Sequence, residues 1–146
     1  MTAKEYLSQA RYLDAQINAK IKQVEQLNYL ATSATSVLSG MPHNPNKATS
    51  KMADIVGKIV DLQAEINHDI DTLVDLKRDI AKRISAMTDM EQQTLLEKRY
   101  LCFQSWEHIA VEMNYSMRYL YKLHTLALEN FSLPTQEDTS RHRMTL

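Results

Sequence analysis

Two stretches of this chain place apolar side chains at spacings of three and four residues, with no proline inside either. The first carries Tyr6, Ala10, Leu13, Ile17, Val24, Leu27, Ala31, Ala34 and Leu38. The second carries Met52, Ile55, Ile59, Leu62, Ile66, Ile70, Leu73, Leu76, Ile80, Ile84 and Met87. This spacing keeps one face of an α-helix apolar and cannot serve a strand, whose faces alternate every two residues. The stripe winds slowly round a straight helix, so it calls for another long helix as its neighbour. Position 20, the missing rung of the first stripe, is Lys20, with Ile21 beside it. Opposite the second stripe the sequence predicts a solvated face of Asp61, Asp69, Asp71, Asp75 and Asp79 mixed with Lys58, Lys77, Arg78 and Lys82.

Between the stripes, the segment from Ser39 to Lys47 holds Gly40, Pro42, Asn44, Pro45 and Asn46, residues that end helices and favour turns. Residues 1–87 are therefore expected to form a long antiparallel, coiled-coil-like hairpin. So much apolar surface also predicts a homodimer or another partner along the seam. Only two glycines and three prolines occur in 146 residues. That excludes a many-stranded barrel or sandwich, which needs frequent turns, and leaves an all-α chain. Neither glycine has another nearby, so no glycine-rich loop exists to cradle a phosphate.

The single cysteine, Cys102, allows no disulfide framework and no thiolate cluster for zinc. Beside Tyr100, Leu101 and Phe103 it is expected as a small buried hydrophobe. No apolar run approaches the roughly 18 residues of a membrane span, and the N-terminus lacks the apolar core of a signal peptide. The expectation is a cytoplasmic protein with no membrane partner. With 17 Lys and Arg against 18 Asp and Glu, the net charge is −1. A general nucleic-acid coating function is thereby excluded, and any DNA contact must come from a local site.

The third segment has a different organisation. After a softer break at Thr88-Asp89, residues 90–131 divide into short helices, and 132–146 form a polar, flexible tail beginning at Leu133-Pro134. Leu95, Leu96, Tyr100 and Leu101 mark one helix. Ser105 caps a second that buries Trp106, Ile109, Ala110 and Met113 and stops at Asn114-Tyr115. Ser116 caps a third carrying Leu120, Leu123, Ala127, Leu128 and Phe131. A short helix, a three-residue turn and a longer helix make a helix-turn-helix. With its leucines facing the core, the last helix turns Met117, Arg118, Tyr121, Lys122 and Thr125 toward solvent. In this motif that helix enters the major groove. Arg118 offers a two-pronged donor set to guanine, Ser116 and the free N–H groups suit a phosphate, and Tyr121 and Lys122 reach base edges or backbone. Arg141, His142 and Arg143 in the tail add a further backbone contact.

The stretch LLEKRYLCFQSWEHIAVEMNYSMRYLYKLHTLALENF resembles the C-terminal module of small phage regulators of the RinA/ArpU type and region four of sigma factors. The resemblance rests on Leu96 with Arg99-Tyr100-Leu101, Ser105-Trp106-Glu107 with Ile109-Ala110, and Tyr115-Ser116 with Arg118, Leu120-Tyr121, Leu123-His124 and Ala127-Leu128. The glycine many such motifs place in the turn is here Asn114, and one often found before the Ser-Trp is Gln104. The resemblance implies a regulator that binds phage promoter DNA and activates late or packaging genes, with RNA polymerase as a further partner.

Other constellations carry less. Glu65 and His68 have the spacing of one half of a di-iron site, but the second motif is missing and Ile66 holds the apolar stripe. Glu107 and His108 are adjacent on a helix and point apart. His124 is expected as a hydrogen-bonded, partly buried histidine or a phosphate contact, and Trp106 as a core anchor. No serine or cysteine nucleophile is paired with a base, so neither an enzyme nor a cofactor is expected. Two rivals stand beside the regulator. One is a DNA-packaging subunit like a small terminase, and the other is a helical adaptor that binds no DNA.

Overall fold

Thr2 starts the chain's first helix with a reciprocal cap. Its amide donates to the Glu5 carboxylate at 3.0 Å, and the Glu5 amide donates to Thr2 Oγ1 at 3.2 Å. A computed structural model describes residues 1–38 and 45–135, the side chains of 34–38 and 45–49 excepted. Helix α1 spans Ala3–Leu38 and α2 spans Pro45–Ser85, roughly 54 and 62 Å long. Residues 39–44 of the expected turn lie outside the described residues. Pro45 is the first residue of α2, where its fixed φ and missing N–H suit a helix start. Three shorter helices follow: α3 (Met90–Leu96), α4 (Trp106–Met113) and α5 (Met117–Asn130). Among the described residues there is no strand, so the fold is all-α with a long N-terminal helix pair.

The chain forms two compact units, Leu13–Val74 and Met1–Tyr12 with Asp75–Leu146. In the first unit α1 and α2 run antiparallel. Lys20 reaches Asp69 at 2.6 Å and Glu65 at 3.6 Å, while Gln23, Gln26 and Leu27 face Lys58, Asp61 and Leu62 across a shared gap. The interruption of the apolar stripe at position 20 thus has a structural reason, a cation joining the two helices. Asp69 belongs to the seam and not to the solvated face the sequence predicted. Among the described residues of this unit, Ile17 and Leu73 are the buried apolar ones. Ile21, Leu30, Val56, Val60 and Ile70 remain exposed.

Gly57 lies on the exposed side of α2, and among the described residues a Cβ there meets nothing within 4 Å. Gly57→Ala is therefore expected to stabilise the protein by about 0.5–1 kcal/mol through helix propensity alone. A raised denaturation midpoint checks it, and an unchanged or lowered midpoint would contradict a helical, open position 57.

The second unit joins the helix ends to the short helices. Tyr6, Leu7 and Ala10 of α1 and Ile80 and Ile84 of α2 are buried in it, with Met87, Leu95, Leu96 and Phe131. The Tyr6 hydroxyl donates to Asp79, which also pairs with Arg83 at 2.8 Å. Arg83 in turn donates to the Ser132 carbonyl at 3.3 Å. Asp79 is thus a structural acceptor, again not a solvated charge. Leu7, fully buried, lies off the three-and-four stripe.

Asp89 caps α3 by accepting from the Gln92 amide at 3.0 Å. The helix then widens into a π-turn over Glu97–Leu101, and the Cys102 amide donates to the Glu97 carbonyl at 3.0 Å. A turn of this kind inserts one residue relative to α-helical phase. Cys102 is consequently exposed, contrary to its expected burial. Phe103 takes a left-handed backbone (φ 57°) to lead the chain into α4, and Lys77 Nζ sits 4.4 Å above its ring.

Candidate nucleic-acid interface

Ser105 accepts from the His108 amide at 3.2 Å and so starts α4. Asn114 ends it in the left-handed conformation (φ 58°, ψ 44°), which asparagine tolerates better than most residues. The Tyr115 amide then donates back to the Ala110 carbonyl at 3.0 Å. Ser116 accepts from the Tyr119 amide at 3.2 Å and opens α5. Asn114, Tyr115 and Ser116 are the three-residue turn of a helix-turn-helix.

The two helices close over a cluster of Leu95, Ile109, Ala110, Leu120 and Leu123, all buried. Ala110 supplies the small side chain that lets α4 and α5 meet. The Tyr115 hydroxyl donates to Glu91, and Asn130 Nδ2 donates to Gln92 Oε1 at 2.9 Å. These bonds tie the turn before α5 and the last residue of α5 to α3.

This packing decides what α5 presents. Arg118, Tyr121, Lys122 and Thr125 are exposed, as helical geometry predicts. Thr125 donates its hydroxyl to the Tyr121 carbonyl at 3.1 Å, so that oxygen keeps only acceptor capacity. Met117 departs from the prediction. It packs half-buried against the apolar cluster, because the turn draws the first residue of α5 onto it. Ser116 is occupied as a cap; its exposed position still leaves unpaired N–H groups in the first turn of α5. Arg141, His142 and Arg143 lie outside the described residues.

Tyr121 does not project freely. Its ring lies edge-on to Trp106, with centroids 5.4 Å apart. Trp106, expected as a core anchor, packs half-buried against the apolar cluster, and its ring is also shared with His124 (4.6 Å) and Arg99 (4.5 Å). His124 is buried on the inner side of α5, its Nε2 2.7 Å from the Tyr100 hydroxyl. Burial, reinforced by the charges of Lys4 and Arg99, pushes His124 down to about 4, so it is neutral at pH 7.

The sequence missed the approach of α1 to this face. Lys4 and Arg11 border the same cleft as Arg99, Trp106 and Tyr121. No local spacing signals that, because the residues meet only through the packing of Tyr6, Leu7 and Ala10. Among the described residues, no group of three or more His, Cys, Asp or Glu has metal-holding geometry, and no helix is long and apolar enough to cross a membrane. Glu65 pairs with Lys20 and His68 is exposed. Compared with known proteins, the chain matches no family model, no curated protein and no solved structure.

Proposed function

We propose that this chain is a site-specific DNA-binding transcriptional regulator, phage- or prophage-encoded, that activates late or packaging genes from the cytoplasm of a bacterial cell. It acts as a binding protein without catalysis or cofactor. The observation that carries the proposal is the turn Asn114–Tyr115–Ser116 between two Ser-capped helices, with Leu120 and Leu123 inward and Arg118 and Lys122 outward on α5. That arrangement leaves one face of a helix free to enter a major groove. The resemblance of residues 95–131 to RinA/ArpU-type regulators supports the choice of regulator, and that to sigma region four supports contact with host RNA polymerase.

Exposed Ile21, Leu30, Val56, Val60 and Ile70 along α1 and α2 support a homodimer through the unit Leu13–Val74. Two copies would set their α5 helices on half-sites roughly 34–36 Å apart, or a multiple of that distance.

Selection of bound fragments from the source genome tests the proposal. Enrichment of one palindromic sequence near promoters supports it, and failure to retain any fragment would favour the adaptor. Ring assembly by light scattering, with sites beside packaging genes, would favour the terminase-like protein. On the selected site, Arg118→Ala is expected to weaken binding by about 1–3 kcal/mol and to relax preference at one base pair. Unchanged affinity and unchanged preference in a gel-shift series would remove Arg118 from base recognition.

A further inference from the structure

A cleft of about 320 Å³ opens between the N-terminal turns of α1, the π-turn, α4 and α5. Three of its lining residues are cations, Lys4, Arg11 and Arg99, and none is a carboxylate. Among the described residues, Arg11 Nη1 is buried with no hydrogen-bond partner. Arg99 spends one guanidinium N–H on the Gln104 carbonyl at 3.0 Å and stacks over Trp106. Burial and the charge of Arg11 both lower its proton affinity, which places the two guanidiniums within electrostatic reach of each other. Glu107, exposed in the first turn of α4, opposes that effect through its field.

Two neighbouring guanidiniums with a buried donor that no described group satisfies are an unfavourable arrangement. An anion with several acceptor oxygens offsets the repulsion between the two cations, and the forked guanidinium geometry matches a phosphate. Apart from Ser8, the remaining walls are aromatic. Trp106, Tyr121 and Tyr12 offer ring surfaces against which a base or sugar can lie. The volume stands near the lower end of ligand pockets, which suits one nucleotide unit and not a larger cofactor.

We infer that this cleft is a phosphate-binding site, with Arg11, Arg99 and Lys4 holding the phosphate and Trp106 and Tyr121 flanking it. The phosphate belongs either to a free nucleotide or to the backbone of a DNA strand passing beside α5. The first source is independent of DNA binding, and the second rests on the function proposed above.

Trp106 is the sequence's single tryptophan, so its fluorescence reports directly on the cleft. The full chain is titrated with adenosine monophosphate, guanosine monophosphate, inorganic phosphate, unphosphorylated adenosine and a selected duplex. For a free nucleotide, saturable quenching by a monophosphate and none by adenosine is expected, weakened at least about 10-fold in Arg11→Gln. For a backbone phosphate, only the duplex changes the signal, and Arg11→Gln lowers the slope of log affinity against log salt by about 0.9. Arg118→Ala, outside the cleft lining, leaves the nucleotide response intact, so loss of DNA binding alone does not decide the outcome. Far-UV circular dichroism and an unreduced denaturation midpoint confirm that Arg11→Gln is folded. No Trp106 response to any phosphate, or equal responses in wild type and Arg11→Gln, would overturn the inference.

Discussion

Leu120→Ala is expected to destabilise the protein by about 2–5 kcal/mol, the range for truncating a fully buried leucine. Leu120 is completely buried where α5 meets Leu95 of α3 and Ile109 and Ala110 of α4. Truncation removes contacts to two other helices, α3 and α4, at once. The surrounding positions cannot collapse into the space without moving Ala110, whose small side chain already brings α4 and α5 close. Since a domain's whole stability is about 5–15 kcal/mol, the loss is a large fraction of it. Denaturant unfolding followed by circular dichroism measures the effect. Leu126→Ala, on the exposed side of the same helix, is the comparison and is expected within about 0.5 kcal/mol of wild type. Equal losses at the two positions would mean that α5 does not bury the face described.

Acidification is expected to remove a second increment of stability, through His124. Its folded-state value of about 4 lies below the usual 6.5 because burial, and then the charges of Lys4 and Arg99, disfavour the imidazolium. Between those values the unfolded chain binds a proton that the folded chain does not. Stability from this group is therefore full above about pH 6.5 and is lost as the pH falls toward 4. The full shift corresponds to about 3 kcal/mol. The ring borders an open cleft, and solvent screening there reduces the expected effect to about 2 kcal/mol. His124→Gln keeps a hydrogen-bonding group opposite Tyr100 while removing the titration. Unfolding at pH 7, 5.5 and 4 should show wild type losing more stability than the variant, since carboxylate titration is common to both. Parallel losses would assign the acid sensitivity elsewhere.

The helix-turn-helix was legible because each of its signals is local. Ser105 and Ser116 cap their own first turns, Asn114 makes its own left-handed turn, and the leucine spacing of α5 turns Arg118, Lys122 and Thr125 outward. Departures arose where packing or backbone phase intervened. Met117 begins α5 yet is drawn onto the apolar cluster, and the π-turn rotates Cys102 into solvent. Asp69 and Asp79 were assigned to a solvated face by periodicity, but Lys20, Tyr6 and Arg83 engage them. Charge partners on a second helix leave no mark in the spacing of the first.

The sequence by itself determined that the chain is helical, where its short helices begin and end, and which side of α5 is polar, because periodicity and capping act within a few residues. Only the tertiary structure decided that Tyr6, Leu7 and Ala10 pack into the same unit as the helix-turn-helix. That packing sets Lys4 and Arg11 beside Arg99 and Trp106 in one cleft. Apolar burial is non-directional, so a stripe specifies that a face must be covered and leaves its neighbour to the fit of the whole chain.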